Sequence, residues 1–331
     1  MGLTDDEMQS DRTRGALTAA HLYYMQDLTM DAIAQELHTS RSSISRLLSH
    51  ARASGLVDIQ IHSPLELPAR LQSEILTKFG VTAHVVPVPD QVSDVDRLNR
   101  VALSTARILG QFFDSNMSMG IAWGSTVSAI SRHLVPKQTH NSHIVQLNGA
   151  GNTRTTGIGY ASEILRRFGD SYGAHVQQFP VPAFFDDPGT KSAMWRERST
   201  QRLLELQSKM DVVLFGIGSP FAEIPSHVYS GGYLESADYD ELSQDGVVGD
   251  VATVFYRSDG STDGIALNAR GTGPEFSVLR RIPRRICVVS GRSKVSSLLG
   301  ALRAGLVTDV ILDEGTARLL LESADSTPTR E

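Results

Sequence analysis

The sequence predicts an α/β protein in which an N-terminal helix-turn-helix unit precedes a doubly wound, Rossmann-like sheet. Two short helical patterns separated by about three residues occur within the first 55 residues. Beyond residue 80, short apolar runs alternate with helical patterns, and Gly or Ser follows several of the runs. This alternation is typical of buried parallel strands covered by helices on both faces. At 331 residues the chain is long enough for about two domains.

Composition excludes several classes of protein. With 40% hydrophobic and 21% charged residues, the chain can build a core and is neither disordered nor fibrous. No long apolar run or leader is present, so we expect a cytoplasmic protein with no membrane association. Cys287 is the single cysteine, and the ten histidines form no H-E-x-x-H motif, so we expect no metal site and no cofactor. The net charge of −6 restricts any nucleic-acid surface to a local patch.

The chain opens with a polar segment, residues 1–12, that we expect to be disordered. A helical pattern follows over residues 13–28. At the other end of this unit, apolar alternation over residues 57–61 predicts a short strand. Prolines then mark a boundary, so we expect the first folded domain to span residues 13–63.

Two short helices lie between these segments in a helix-turn-helix arrangement. Thr29 stands at the N-cap position of the first, residues 30–37, and Ser40 at that of the second, residues 41–52. Apolar residues recur at helical spacing on both helices, which predicts that they pack against each other. These residues are Ile33, Ala34, Leu37, Ile44, Leu47 and Leu48.

The outer side of the second helix carries hydroxyls and arginines but no acidic residue. Such side chains reach phosphates and base edges, and arginine is the commonest reader of guanine. We therefore predict binding of double-stranded operator DNA; a plain helical hairpin or a protein-interaction module is the alternative. The residues expected to contact DNA are Thr29, Ser40, Arg41, Ser42, Ser43, Ser45 and Arg46.

The second domain is expected over residues 64–322, with a flexible tail over 323–331. A connecting helix over 67–79 opens it. Apolar runs then predict parallel strands at residues 83–88, 118–122, 144–147, 212–217, 251–255, 286–289 and 310–312. Helical patterns that follow strands lie at residues 126–134, 158–168, 294–302 and 315–321.

Three glycine-containing turns, residues 120–126, 215–219 and 290–294, follow predicted strands. Ligands of open α/β sheets bind at the carboxyl ends of the strands, where all three turns belong. None matches a P-loop or a dinucleotide fingerprint. We therefore predict a small anionic or polyol ligand, although each turn could also be plain strand-to-helix geometry. Asn148 and Asp250 are polar groups that could orient this ligand, with a turn-forming role as the alternative for each.

With both domains in view, the sequence resembles the SorC family of sugar-binding bacterial transcriptional regulators, which are related to DeoR-like regulators. The resemblance runs from about Ala16 to Leu321. The segments that carry it are residues 22–34, 39–48 and 51–59 in the first domain and Trp-Gly-Ser-Thr (123–126), Phe-Gly-Ile-Gly-Ser (215–219), Val-Gly-Asp-Val (248–251), Ser-Gly-Arg-Ser-Lys (290–294) and residues 300–317 in the second.

The resemblance implies an effector domain similar to glucosamine-6-phosphate deaminase and ribose-5-phosphate isomerase, usually in a homotetramer (or a dimer), whose sugar or sugar-phosphate ligand alters operator affinity. Matching positions imply that Gly124, Ser125 and Thr126 cradle the ligand and that Gly218 and Ser219 lie opposite. Asp250 would bind hydroxyls, and Lys294 a phosphate or another polar end. Asn148 completes the expected site.

Two alternatives remain open. In the first, the regulator senses an unphosphorylated polyol or free sugar, and Lys294 matters little for affinity. In the second, the effector fold retains isomerase or deaminase activity with Asp250 or Glu275 as general base. A DNA-reading domain has little use for destroying its own signal, so we expect no enzyme activity.

Overall fold

The computed structural model describes residues 5–57, 66–220, 222 and 226–325. The chain divides into two compact units, Met1–Leu65 and Glu66–Glu331. In the described ranges, no helix combines the length and the apolar composition that a membrane crossing needs.

The first unit consists of α1 (Asp5–Tyr24), α2 (Met30–Glu36) and α3 (Arg41–Ala53). The expectation of disorder through residue 12 differs from the structure, since α1 already begins at Asp5. The acidic residues at positions 5–7 of the sequence favour a helix that begins there, because negative charge stabilises the positive end of a helix dipole. Most of the strand expected at 57–61 lies outside the described residues.

Side-chain caps and a small apolar core hold these three helices together. The Thr29 Oγ1 accepts the Ala32 N–H at 3.2 Å, and the Ser40 Oγ accepts the Ser43 N–H at 3.2 Å, so both N-caps form. Buried residues from all three helices pack into one cluster, which leaves the other side of α3 exposed. They are Ala16, Ala19, Ala20, Leu22, Ile33, Ala34, Ile44, Leu48 and Ala51.

The second unit is built on a sheet whose described strands run in the order β1-β9-β8-β5-β2-β3-β4, and every pairing in it is parallel. A separate antiparallel pair is formed by β6 and β7. The strands are β1 (Thr82–Val86), β2 (Ser118–Ile121), β3 (His143–Gln146), β4 (His175–Gln177), β5 (Val212–Gly216), β6 (Val247–Val251), β7 (Val254–Arg257), β8 (Arg284–Val289) and β9 (Asp309–Asp313).

Helices cover both faces of this sheet. They are α4 (Glu66–Phe79), α5 (Asp94–Leu109), α6 (Ser125–Ser131), α7 (Ile158–Tyr172), α8 (Pro188–Met194), α9 (Arg198–Ser208), α10 (His227–Ser230), α11 (Ser236–Gln244), α12 (Phe276–Leu279), α13 (Val295–Arg303) and α14 (Glu314–Asp325), with 3-10 turns at Ala266–Ala269 and Arg292–Lys294.

The central strand β5 shows why its sequence is a continuous apolar run. Val213 and Phe215 point into the core on one face, with residues of α4, α9, α13 and α14. Val212 and Leu214 point into the core on the other face, with residues of α5, α6 and α7. All four side chains are buried, as expected for a parallel strand covered on both sides.

The prediction of a parallel strand at residues 251–255 is wrong. Val251 and Val254 instead pair across the turn of the β6–β7 hairpin. Ala252 and Thr253 form that turn with φ of 50° and 68°. Two consecutive positive φ values match the right-handed twist of a hairpin, but neither residue is the Gly or Asn that would signal it in a sequence.

The order of the strands places a crevice between β2 and β5. The chain leaves β2 toward β3 and β4 on one side, whereas β5 is followed in the sheet by β8 on the other side. Loops that diverge from neighbouring parallel strands open a binding crevice at their carboxyl ends.

Candidate functional site

A cleft that is open to solvent lies at the carboxyl ends of β2 and β5. The empty space within it, including the part open to solvent, is about 420 Å³. Two residues expected in the site, Ser219 and Lys294, are buried but do not line this cleft. The other expected effector residues are brought together in its walls. They are Gly124, Ser125, Thr126, Asn148, Gly218 and Asp250.

The Asp250 side chain is only 3% exposed and faces the cleft from β6. Its backbone is tied to Gly218, since each N–H donates to the other residue's carbonyl, at 3.0 and 3.2 Å. The Thr253 N–H donates to Oδ2 at 3.3 Å. Within the described residues no hydrogen bond of good geometry reaches Oδ1. The Tyr229 hydroxyl lies close enough to interact with the carboxylate. A buried carboxylate oxygen of this kind needs a donor, which a ligand can supply.

Gly218 has no room for a side chain. A Cβ at this position would lie 1.8 Å from the Asp250 Oδ1 and 3.0 Å from the Ser226 Oγ. Glycine here therefore lets the carboxyl group stand against the end of β5, where it opens onto the cleft.

Two further buried oxygens without partners among the described residues lie in the same walls: the Asn148 Oδ1 and the Ser226 Oγ. The backbone of Asn148 is held in place, because its carbonyl accepts the Gln146 Nε2–H at 2.8 Å and the Trp123 Nε1–H at 3.2 Å. The side chain is consequently directed by a rigid strand end.

Aromatic rings form one side of the cleft. Trp123 stacks on Tyr233 with centroids 4.9 Å apart, and His227 lies 4.5 Å from the Tyr160 ring. Trp123 and His227 line the cleft. Burial lowers the pKa of His227, so this imidazole is neutral at pH 7.

Ser226, His227 and Val228 were not predicted from the sequence. Ser226 is the N-cap of α10, and His227 and Val228 lie in this four-residue helix between β5 and α11. The helix shows no apolar periodicity in the sequence. The pair Gly231-Gly232, with φ of 77° at Gly232, was the available signal of a sharp bend that returns the chain to the cleft.

Lys294 ends the 3-10 turn before α13 and is 7% exposed. Burial lowers the pKa of its ammonium group, and the negative charge of Asp250 opposes that effect. Burial likewise raises the pKa of Asp250 to about 6, against the Thr253 N–H, the Tyr229 hydroxyl and the charge of Lys294. The charge of each group favours the ionised form of the other.

The exposed side of α3 carries the residues expected to contact DNA. The Arg46 Nε donates to the Ser42 carbonyl at 3.3 Å and its Nη2 to the Ser43 Oγ at 3.4 Å, which directs the guanidinium along the helix. The Arg41 Nε lies 3.7 Å from the Asp31 Oδ2, and both side chains are about two-thirds exposed. Ser45 is also exposed, whereas Thr29 and Ser40 cap their helices.

Other candidate chemistry lies away from these surfaces. The described residues contain no group of three or more His, Cys, Asp or Glu that could hold a metal ion. Cys287 is buried in β8. Glu275 is exposed and bonds to Ser277, outside the cleft.

The cleft-bearing unit matches a known family. Residues 63–322 match the family model described as "Putative sugar-binding domain". The chain is 30% identical to the deoxyribonucleoside regulator of Bacillus subtilis, over 95% of this chain and 99% of that protein. It is 26% identical to the sorbitol operon regulator of Klebsiella pneumoniae, again over 95% and 99%.

Solved structures agree. A domain of a possible sugar-binding transcriptional regulator from Arthrobacter aurescens TC1 is 58% identical, with a TM-score of 0.73 over 78% of this chain and 99% of that one. The full-length sorbitol operon regulator SorC from Klebsiella pneumoniae is 25% identical, with a TM-score of 0.71 over 94% and 99%. These relatives are transcriptional regulators, so the enzyme alternative is not favoured. The chain belongs to the SorC family of sugar-binding transcriptional regulators.

Proposed function

We propose that this protein is a transcriptional regulator whose helix-turn-helix, α2 and α3, binds operator DNA and whose cleft binds a sugar, polyol or sugar-phosphate effector that changes operator affinity. One observation carries the effector half: the Asp250 carboxylate oxygen that is buried in the cleft wall without a partner in the described part of the chain. Sugar hydroxyls can donate the hydrogen bond that such an oxygen accepts.

The DNA-binding half rests on α3. It contains arginines but no Asp or Glu, and its apolar side is used up in packing against α1 and α2. The exposed side of α3 is suited to the major groove of DNA. We place Arg41, Ser42, Ser45 and Arg46 toward phosphates and base edges, and Thr29, Ser40 and Ser43 near the DNA backbone. We propose that residues 13–63 form this domain.

For the rest of the chain we propose an effector and oligomerisation domain that begins at residue 64. It continues past the expected boundary at residue 322 to the end of α14 at Asp325. A helix-turn-helix reads one half-site, so binding a near-palindromic operator requires two or more copies. We propose a homotetramer or dimer, acting in the cytoplasm, in which effector and operator affinities are coupled by about 1–3 kcal/mol.

The test begins with the operator, which is selected from a pool of random-sequence duplexes and then titrated at fixed salt. We expect Arg41→Ala to weaken binding by about 5- to 150-fold, the equivalent of about 1–3 kcal/mol for a base contact. Arg166→Ala removes the same charge from an exposed position on α7. It is the control and should leave the affinity for DNA unchanged. Equal affinities of wild type and Arg41→Ala would remove Arg41 from the interface, and failure to select any sequence would overturn the DNA-binding role.

A further inference from the structure

The charges in the cleft wall are unusual for a site that would hold a phosphate. Among its described lining residues no Lys or Arg occurs, and the one charged side chain is that of Asp250. His227 is kept neutral by burial, which lowers its pKa. Lys294, which the sequence resemblance assigned to a phosphate or polar end of the ligand, is buried and does not line the cleft.

The hydrogen-bonding groups point to the same chemistry. The buried oxygens that lack partners in the described walls include the acceptors Asp250 Oδ1 and Asn148 Oδ1. Ser226 adds a hydroxyl that can donate or accept. A ligand that satisfies these atoms must itself donate hydrogen bonds, and a phosphate dianion has no hydrogen to donate.

Asp250 already interacts with a buried cation, Lys294, without a ligand. Asp250 and Lys294 are both buried and of opposite charge. A phosphate group in the cleft would place a second anion beside the carboxylate, and the dielectric of a buried site screens that repulsion poorly. A neutral hydroxyl adds no net charge.

We propose that the cleft of this protein selects an uncharged polyhydroxy effector, a polyol or free sugar, over the corresponding phosphate ester. This inference rests on the proposed sugar-responsive function and makes it more specific. Asp250 and Asn148 accept hydroxyl hydrogens, and the rings of Trp123 and His227 give the C–H edges of the ligand an apolar wall. Lys294 lies outside the cleft wall and does not contact the ligand.

The first experiment compares matched pairs by thermal shift and calorimetry on the full chain. The probes are pentitols, hexitols, aldopentoses and ketohexoses, each beside its terminal phosphate ester, with inorganic phosphate as a further probe. We expect one neutral member to raise the Tm by about 5–10 °C at 100 times its Kd. Its phosphate ester should bind at least tenfold more weakly, and inorganic phosphate should not compete.

The second experiment uses Asp250→Asn, which keeps the shape of the side chain and removes its charge. The neutral ligand should bind at least tenfold more weakly, because an amide oxygen is a poorer acceptor than a carboxylate. The phosphate ester should bind as before or more tightly, since the repelling charge is gone. Glu205→Gln, an exposed carboxylate on α9, is the matched control and should leave both affinities unchanged. Circular dichroism checks that the variants fold. Ser226→Ala is a second variant that should bind the neutral ligand more weakly.

The outcomes separate this inference from the proposed function. Tighter binding of a phosphate ester than of its neutral partner would overturn the inference and leave the sugar-responsive regulator intact, provided that the ester changes operator affinity. Unchanged affinity of the neutral ligand for Asp250→Asn would also overturn it. If no member of any pair binds, both the inference and the effector half of the proposed function fail.

Discussion

Asp250 is the residue on which the chemistry of the cleft depends. Its carboxyl group is buried beside Lys294 and the hydroxyls of Tyr229 and Tyr256. Burial, with the nearby negative charge of Asp250, raises the pKa of both tyrosines well above 10, so they stay neutral at ordinary pH. Asp250 is consequently the group in this cluster that changes charge between pH 4 and pH 7.

This change of charge predicts a pH dependence of stability. The pKa of Asp250 is raised from 3.8 to about 6 in the folded chain. Between those values the folded state holds more protons than the unfolded state, so the free energy of unfolding falls as the pH rises, by about 3 kcal/mol in total. Asp250→Asn should lack this component. Urea unfolding at pH 4, 5, 6 and 7 measures the difference, and parallel curves for the two proteins would contradict the prediction.

The sequence identified some site residues and missed others for physical reasons. Asn148 and Asp250 are polar residues that stand beside glycines next to apolar runs, a pattern that is visible locally. Ser226 and His227 reach the cleft only through the path of the chain after β5, which no local pattern shows. The Gly-containing turn before Lys294 is visible in the sequence, but the burial of this lysine depends on tertiary packing.

At the scale of elements, the sequence predicts strands and helices best where the apolar residues follow the pattern typical of that element. The continuous apolar run of β5 identifies a strand buried on both faces, and the spacing in α3 identifies its packed side. The run at residues 251–255 misled because buried hairpins are as apolar as parallel strands. Only the register of Val251 with Val254 distinguishes the two, and pairing partners cannot be identified from apolar composition alone.

The contact between α5 and β9 predicts a large mutational effect. The Arg97 Nη1 lies 3.0 Å from the Asp313 Oδ1, and their side chains are 5% and 0% exposed. Arg97 also donates to the Asp90 carbonyl at 3.2 Å. Arg97→Ala would leave a buried carboxylate without its counter-charge, so we expect a loss of about 3–5 kcal/mol in the free energy of unfolding.

The control for this prediction is an exposed ion pair. Arg166 and Asp170 on α7 have side chains 58% and 64% exposed, and such pairs contribute about 0–1 kcal/mol. Arg166→Ala should therefore change the free energy of unfolding by less than about 1 kcal/mol. Denaturant titration of both variants measures the two losses in the free energy of unfolding. Equal losses would contradict the prediction that the buried Arg97–Asp313 pair contributes more than the exposed pair.

At the scale of the whole molecule, the two compact units predict separable activities. Every described cleft residue lies in Glu66–Glu331, and a domain of a 58% identical relative, matching 78% of this chain, has a structure of its own. A fragment of residues 66–331 should keep the thermal shift with effector, within about 2 °C of the full chain, and lose operator binding. Loss of the shift in a folded fragment would place part of the effector site in the first unit.

The cleft is assembled from segments that are far apart in the chain: residues 122–127, 148, 216–218, 226–228 and 250–253. No short piece of the protein contains more than a fraction of the binding surface. Synthesis of the chain must therefore reach at least the β6–β7 hairpin before the cleft can form and bind an effector. A nascent chain that ends before this hairpin cannot form the cleft, so a response to the effector requires chains that have been synthesised beyond it.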